Sequence, residues 1–582
     1  MNDEQSGRDR VRIRLIALFE CLVLLVLHGV AVAQGSGCDG ARITAIDIVP
    51  GRPPFSGAAR KWQIAAHAVG LHHATTRGDV LRAFLELHAG SVCTEQARAE
   101  SERVLRALPF IADATVRAVP TGGGEVRIEV TTVDEVPVLV SGGIQHGSPA
   151  TLALGNEDLG GEGVRLFAGM ERGFAYRNGG FVELSKYAVF GAPLVAAVSA
   201  EQGRIDRSAQ LSLALPFLSN IQRGSWQAAF RLADQFPTVS RAGDNDLALE
   251  VRSARWSASG TARSHVGSTV TLAGAALIGV RTRPAAVADF VTDSGLVPVA
   301  DTLVVQRYGR LSSVRVGALG AARRISYRRV TGYDALFGAQ DLLTGAQLGV
   351  LAAPGTMASH TDLLGGATFY AGHAGARWFG GAEVESEARR DFALHDWSSL
   401  ITSGRAAMYG KPGEAWLVKL ESEYSSVARS LVPAVLSISE PAAGVRGFAG
   451  ARLAGTEREV GRAEVRWAQR NVFGRGDVGL AVFTDAGALH GGDVPYGQTT
   501  TVQSAGISVL AAFPSRSRRI YRLDVAVPVR RGAARGAGIE FRFSSDNPTA
   551  QFWREPADVA AARLAPVPST LFSWPLANPN QL

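Results

Sequence analysis

Apolar residues alternate with polar ones along most of the chain, and a period of two predicts β-strands. Residues 521–530 show the pattern clearly, because one face is apolar and the other carries Arg522, Asp524 and Arg530. Similar segments of about ten residues, separated by Gly, Asn, Asp and Pro, recur over residues 137–544. A strand of this kind suits a membrane barrel, with one side facing lipid and the other facing a wet lumen.

The same division of faces recurs in residues 416–424, where Trp416 and Tyr424 bracket the apolar face as interfacial aromatics do. Dividing roughly 400 residues by the roughly 25 that a strand and its loop consume predicts about 16 antiparallel strands. We therefore predict an all-β transmembrane barrel over residues 137–544. A soluble β-sandwich or propeller would also alternate, but the chain shows no repeat of blade length.

A different pattern precedes the barrel, over residues 38–136. Both helical and strand periodicities occur there, so we predict a small α+β domain. The predicted elements are, in order, a strand at 42–49, a helix capped by Thr76, a helix opening at Thr94, and strands at 114–119 and 125–133.

The two ends of the chain have their own signals. Four arginines precede the apolar run 15–27, and Ala31-Val32-Ala33 offers a cleavage site, so residues 1–33 are predicted to be a secretory signal peptide. A transmembrane anchor is the alternative, but the apolar core is about half of the roughly 20 residues that a spanning helix needs. At the other end, residues 545–582 form a Pro-rich tail that is predicted to fold back or hang free.

Two cysteines remain after removal of the signal peptide. Cys38 and Cys93 would lie in an oxidising periplasm, so they are candidates for a disulfide. A lipid-modified Cys38 is the alternative, although residues 35–37 lack the leucine expected three positions upstream.

Composition and charge exclude several function classes. The formal charge is +7, but the arginines are dispersed, and an exported protein meets no nucleic acid. The chain has no Gly-x-Ser-x-Gly elbow, phosphate loop or His-Glu-x-x-His motif. His72, His73 and His88 have no third ligand at a useful spacing. We therefore expect no enzyme activity, metal or cofactor.

One short motif narrows the family. Residues 444–448 read Gly-Val-Arg-Gly-Phe, which resembles the VRGF/Y signature of the POTRA-plus-β-barrel superfamily, a superfamily of BamA-type and TamA-type insertases and two-partner-secretion transporters. The resemblance implies that Val445, Arg446, Gly447 and Phe448 lie at the tip of a long loop inside the barrel. Flanking glycines permit a tight reversal, and an arginine can bind a carboxylate through two parallel hydrogen bonds.

A suitable carboxylate follows in residues 481–487, which resemble the family's F-x-D-x-G strand segment. The resemblance implies a contact between Arg446 and Asp485. Asp485 alternates onto the side opposite Val482 and Thr484, so it can face the lumen. Glu464 is a second candidate partner for the arginine.

Further matches bracket the barrel. Residues 155–166 resemble the family's first hairpin, while Gly538, Phe541 and Phe543 fit its terminal-strand targeting pattern. The strand, helix, helix, strand, strand order of residues 38–136 resembles a POTRA domain. The chain departs from the family in its 39 residues after Phe543 and in its single POTRA-like unit, so it does not resemble the housekeeping insertase itself.

The resemblance implies a Gram-negative outer-membrane protein, with its first domain in the periplasm, that assembles, inserts or translocates client proteins. Its expected partners are outer-membrane lipids, unfolded or partly folded clients taken up by β-augmentation, and accessory periplasmic or lipoprotein subunits. Two alternatives stay open: a channel for small solutes or lipid, and a surface antigen or adhesion barrel. The inward-pointing motifs favour the assembly, insertion or translocation of client proteins over both alternatives.

Overall fold

A computed structural model describes the chain over residues 38–51, 74–145, 148–172, 178–240, 246–266, 269–292, 294–357, 360–441, 443–451, 453–534, 536–546 and 555–565. The predicted signal peptide lies outside these residues, as does the predicted tail except at 545–546 and 555–565.

The first domain consists of a three-stranded sheet and two helices. Its elements are β1 (Arg42–Gly51), α1 (Gly78–Ala83), α2 (Glu95–Ala107), β2 (Ile111–Gly122) and β3 (Glu125–Asp134). The strand order is β1-β3-β2, with β1 parallel to β3 and β2 antiparallel to it. The two helices pack apolar residues such as Leu81 and Leu105 onto the sheet, and the resulting core continues into the barrel through Tyr187, Val195 and Ala214.

One of the two predicted helix caps of this domain is present in the structure, and the other is not. The Thr94 side chain accepts a hydrogen bond from the Ala97 amide (3.1 Å) and caps α2. Thr76 does not cap α1, which begins two residues later at Gly78, because its hydroxyl donates to Asp158 in the barrel instead (2.8 Å). Cys38 and Cys93 form a disulfide, with their Cα atoms 5.2 Å apart.

After the first domain, 20 of the described strands form a closed antiparallel barrel, in which the last strand pairs with the first. Its strands are β4 (Val138–Gln145), β5 (Ser148–Asn156), β6 (Val164–Arg172), β7 (Asn178–Tyr187), β8 (Val195–Gly203), β9 (Arg207–Leu215), β10 (Gly224–Gln235), β13 (Val251–Val266), β14 (Thr269–Pro284), β17 (Leu311–Thr331), β18 (Ala339–Met357), β19 (His360–Ala374), β20 (Trp378–Asp391), β21 (Asp396–Gly413), β22 (Trp416–Ala428), β23 (Glu457–Val472), β24 (Gly476–His490), β25 (Thr500–Ala512), β26 (Ile520–Arg530) and β27 (Glu540–Asp546).

The prediction of about 16 strands was therefore wrong. The estimate assumed one strand length throughout, whereas the six strands β4 to β9 have only 8 to 10 residues each. Strands on the far side of the barrel are much longer, and β17 has 21 residues. Short strands joined by short turns fit more strands into the same length of chain.

A small four-stranded sheet lies above the rim that is remote from the first domain. It is formed by β11 (Thr238–Ser240), β12 (Asp246–Ala248), β15 (Ala288–Thr292) and β16 (Gly295–Val299), and it is followed by α3 (Thr302–Arg307). Arg307 on α3 reaches Asp493 in the turn between β24 and β25 (2.6 Å). The sheet thus connects to other loops at the same rim.

Alternation along the strands separates an apolar outer face from a polar inner face. On β24, Leu480 and Val482 are 54% and 58% exposed on the outside, whereas Phe483 and Asp485 are buried on the inside. The same rule runs through the wall and matches the expectation from the sequence. None of the described helices has the length and hydropathy needed to cross a membrane.

The first domain rests on turns at one rim of the barrel. Arg106 of α2 binds Asp341 near the start of β18 (2.8 Å), and Arg518, just before β26, donates to the carbonyl of Ile111 (2.6 Å). Glycine is required at position 161, in the turn between β5 and β6, because a Cβ atom there would lie 2.1 Å from the carbonyl oxygen of Thr75. The contacts hold the domain against this rim.

Arg519 ties together several chain segments at the same rim. Its guanidinium donates to the carbonyl oxygens of Pro109 (3.3 Å) and Val138 (3.4 Å) and to the carboxylate of Glu157 (3.3 Å). Val138 is the first residue of β4, and Glu157 follows β5. One side chain next to β26 therefore holds the chain on the other side of the closing strand pair.

Candidate functional site: a loop folded into the barrel lumen

Residues 429–456 connect β22 to β23 and fold into the barrel from the rim remote from the first domain. The loop carries Val445 and Phe448, which are 3% and 0% exposed. They pack in one apolar cluster with wall residues, among them Ile401, Val460 and Val502. A loop that buries apolar side chains against the inner wall is a fixed part of the lumen.

Backbone contacts and glycines shape the tip of the loop. The Gly444 amide donates to the carbonyl of Glu440 (2.8 Å), and the Val445 amide donates to that of Ile438 (3.0 Å). A Cβ atom at position 444 would lie 2.3 Å from the Ile438 carbonyl oxygen, so glycine is needed there. Gly447 has a φ of +87°, a conformation that residues with a side chain rarely adopt.

Arg446 projects from this tip to Asp485 on β24. Its Nε and Nη2 atoms donate to the two carboxylate oxygens, both at 2.7 Å, and its backbone amide donates to the same group at 3.3 Å. The guanidinium also lies 3.4 Å from the ring centroid of Phe483. A two-bond pair that is stacked on an aromatic ring fixes both the position and the orientation of the arginine.

The ion pair continues into a network along the inner wall. Arg446 reaches Asp524 on β26 (3.4 Å), which binds Arg522 (2.6 Å). Glu464 lies one step further along, where it accepts from Arg522 (2.7 Å) and Arg466 (2.8 Å). The structure thus places Asp485 directly on Arg446, whereas Glu464 joins through Arg522.

The loop also binds the last strand of the barrel. The Gly447 amide donates to Glu540 on β27 (2.6 Å), and the Gly447 carbonyl accepts from the Gly538 amide (3.2 Å). Phe541 and Phe543 lie on the outer face of β27, in register with Val525 and Leu523 of β26. The residues of the terminal-strand pattern therefore divide between the loop and the lipid-facing surface.

Gly487 completes the site from the wall. A Cβ atom at this position would lie 2.6 Å from Cγ2 of Val445 and 2.9 Å from Cδ1 of Ile438. The last glycine of the F-x-D-x-G segment thus makes room for the loop, two residues after the aspartate that binds it.

Sequence reasoning missed Asp524 and Glu540 as partners of the loop. The signal that could have found them is alternation, because Asp524 lies on the polar face of residues 521–530 and Glu540 lies opposite the outward Phe541. Alternation does not indicate which loop would contact these carboxylates.

The chemistry of the site is ionic and hydrogen-bonding. Its groups are arginines and carboxylates in mutual contact, an arrangement that holds the loop in place. Within the described ranges, no group of three or more His, Cys, Asp or Glu side chains is arranged to hold a metal ion.

No family model and no curated protein matches the sequence. Among solved structures, the fold is similar to BamA from Haemophilus ducreyi lacking POTRA domains 1–3 (11% identity, 87% of this chain and 84% of that chain, TM-score 0.34). It is also similar to CdiB from Escherichia coli (12% identity, 87% and 76%, TM-score 0.41) and CdiB from Acinetobacter baumannii (11% identity, 92% and 98%, TM-score 0.37). Identities and TM-scores this low do not assign a function to the chain.

Proposed function

We propose that this chain is an outer-membrane barrel that assembles, inserts or translocates client proteins, with a POTRA-like first domain that receives them in the periplasm. The observation that carries the proposal is the loop inside the lumen, fixed by Arg446 on Asp485 at 2.7 Å. The motifs that supply these two residues resemble the VRGF and F-x-D-x-G motifs of the assembly and translocation superfamily.

The position of the loop favours this function over an open solute channel. A channel needs a free path through its lumen, lined by groups that a solute can reach. Here the arginine is occupied by two carboxylates, and the loop around it packs on the inner wall. Its bond to Glu540 connects it to the strand that closes the barrel, which is where an incoming strand would have to add.

Such a function needs no covalent chemistry. A client strand gains backbone hydrogen bonds at the barrel and loses the cost of leaving polar groups unpaired in lipid. The first domain offers β2 as an edge strand of its sheet, and an extended client segment could add there by β-augmentation. The apolar outer face of the barrel is the surface for outer-membrane lipids, and accessory subunits remain further candidate partners.

The proposal is tested by reconstituting the refolded mature protein into lipid vesicles and adding a urea-denatured small β-barrel protein as client. Wild type should accelerate client folding, measured by the client's heat-modifiable migration and protease resistance. Arg446→Ala should insert as a heat-modifiable barrel but lose this acceleration. Arg530→Ala is the matched control, since Arg530 is an exposed residue of β26 outside the network.

Single-channel conductance of the same proteins separates the proposal from the channel alternative. We expect a small, flickering conductance for wild type and a large or unstable one for Arg446→Ala. A wide and steady pore that is indifferent to Arg446, together with unchanged client folding in the variant, would overturn the assembly function and favour the channel.

A further inference from the structure

The chain continues past its last barrel strand, and residues 555–565 lie inside the barrel. They contain α4 (Ala557–Ala562), whose Val559 and Ala562 are fully buried. Both side chains pack in the same apolar cluster as Ile438 and Phe448 of the lumen loop. A helix of six residues is too short to persist alone, so its surroundings hold it in place.

Two charged side chains of the segment are bound by the barrel wall. Arg458 of β23, which is 1% exposed, donates to both carboxylate oxygens of Asp558 (2.5 and 3.2 Å). Arg563 pairs with Glu555 within the segment (2.6 Å), and Ser403 of β21 donates to that same carboxylate (2.6 Å).

The wall also binds the backbone of the segment. Arg255 of β13 donates to the carbonyl oxygens of Ala561 (2.7 Å) and Arg563 (3.1 Å). Glu387 of β20 accepts the amides of Leu564 and Ala565, both at 2.9 Å. Buried charged groups that end on backbone atoms of a peptide form a built receptor for that peptide.

These anchors come from widely separated strands. In the closed barrel of 20 described strands, β13 and β23 are eight strands apart, so they stand almost opposite each other. The segment therefore crosses the lumen between Arg255 and Arg458. It adjoins the lumen loop as well, because Arg458 also donates to the Ser437 carbonyl (2.7 Å).

The segment is nevertheless separable from the barrel. The strand ladder closes through β27 and β4, and no backbone pair of that ladder belongs to residues 555–565 among the described strands. Most anchors are charged side chains, which water in the lumen can solvate once the segment leaves. The apolar contacts come from four small or medium side chains, Val559, Ala562, Leu564 and Ala565.

We propose that residues 555–565 form a displaceable plug, which closes the lumen at rest and leaves when a client segment competes for Arg255, Glu387, Ser403 and Arg458. The competitor is an unfolded peptide that offers free backbone groups, with an acidic and a basic residue spaced as Asp558 and Arg563 are. The identity of the competitor rests on the proposed function, whereas the plug itself does not.

The first test compares two truncated proteins in planar bilayers. A chain ending at Asp546 lacks the plug, and a chain ending at Ala565 keeps it and serves as the matched control. We expect the first to conduct several-fold more than wild type while remaining a heat-modifiable barrel, and the second to conduct as wild type does. A folded barrel ending at Asp546 with wild-type conductance would overturn the proposal.

A second route covers a truncated chain that does not fold. A cleavage site for a specific protease is placed within residues 547–554, and the protein is cut after it has folded in detergent and then washed at high salt. Loss of the cut segment with a rise in conductance supports the plug. A segment that stays bound through the wash, with wild-type conductance, refutes it.

A synthetic peptide of residues 555–565 tests the receptor directly. Added to the open barrel, it should restore the low conductance, whereas the D558N/R563Q peptide should not. Equal blocking by both peptides would refute recognition through the charged anchors. If the open barrel conducts as expected but no variant accelerates client folding, the plug stands and the proposed assembly function fails.

Discussion

Two segments occupy the lumen, and they meet at Arg458 of β23 but make most of their other polar contacts with different strands. The loop at 429–456 lies between two strands and binds β24, β26 and β27, next to the closing strand pair. The segment at 555–565 follows the last strand and binds β13, β20, β21 and β23. The loop is thus tied to the closing side of the barrel, whereas the segment binds strands on which the closure does not depend.

The carboxylates of the two regions are buried to different degrees. Asp485, which holds the loop, has no exposed side-chain surface, but Asp558 and Glu555 keep 16% and 18% of theirs. The arginines show the reverse order, because Arg446 is 13% exposed and Arg458 and Arg563 are each 1% exposed. Removing the partner of a fully buried charge costs more than removing the partner of one that water can reach. Loss of the loop's arginine should therefore cost more stability than loss of Arg563, whereas loss of either should raise the conductance.

Arg446→Ala should have the largest effect on stability. It leaves Asp485 buried without its arginine, which costs about 3 to 5 kcal/mol for a buried pair. Urea unfolding of the refolded barrel, followed by its heat-modifiable migration, measures the loss. The stability of Arg446→Lys should lie between those of wild type and Arg446→Ala, since an ammonium group cannot replace the two-bond contact. If the unfolding midpoint of Arg446→Ala equals that of Arg530→Ala, the loop does not contribute more to stability than the segment does.

Arg563→Ala should destabilise the protein less, by about 2 to 3 kcal/mol, because the Glu555 carboxylate that it leaves behind keeps its hydrogen bond from Ser403 and part of its exposed surface. Its main expected effect is on conductance, which should rise because the segment loses its pair with Glu555. Conductance and urea midpoint are measured on the same preparation. A stability loss as large as that of Arg446→Ala would show that the segment is as structural as the loop.

Gly487→Ala probes the packing of the loop without touching a charge. Its added methyl group would meet Val445 at 2.6 Å, so the loop must shift, at a cost of about 1 kcal/mol. Gly461→Ala on β23 is the control, because a Cβ atom there meets nothing within 4 Å. The difference between the two thermal midpoints reports the loop alone, and equal midpoints would contradict close packing at Gly487.

The smallest expected effect concerns pH, at the point where loop and segment meet. Burial raises the pKa of Glu440 in the loop above its ordinary value, and the neighbouring Asp558 adds to the rise. The folded protein then holds this proton more tightly than the unfolded chain does, so its contribution to stability is complete below a pH of about 4.3 and is lost as the pH rises through the folded pKa. Glu440→Gln should flatten this part of the stability profile against pH, and an unchanged profile would refute the assignment.

Alternation was sufficient to predict a barrel wall, whereas the contact between Arg446 and Asp485 was expected from the family resemblance. Alternation indicates which side of β24 Asp485 occupies, and the glycines around Arg446 indicate a tight reversal. The strand number was predicted wrongly because periodicity does not report how long each strand is. The short strands β4 to β9 show no break in pattern that would reveal it.

The receptor for residues 555–565 could not be predicted for a different reason. Arg255, Glu387 and Arg458 are each an ordinary inward residue of a strand, far apart in the chain. Only the closed barrel brings them around one segment. The Pro-rich composition of the tail indicated loose structure, and the six helical residues within it are stabilised by tertiary contacts that composition does not record.

The contacts of Arg519 determine the end from which the closing strand pair, β27 and β4, would open. β27 and β4 share only five register pairs, from Ser544 with Ser141 to Glu540 with Gln145. Arg519 fastens the first-domain end, by holding Val138 and Glu157 across the pair. Any unzipping of the wall would therefore begin at the Glu540 end and run toward a stop at Arg519. The two strands would then separate at the rim remote from the first domain while they stay joined next to that domain.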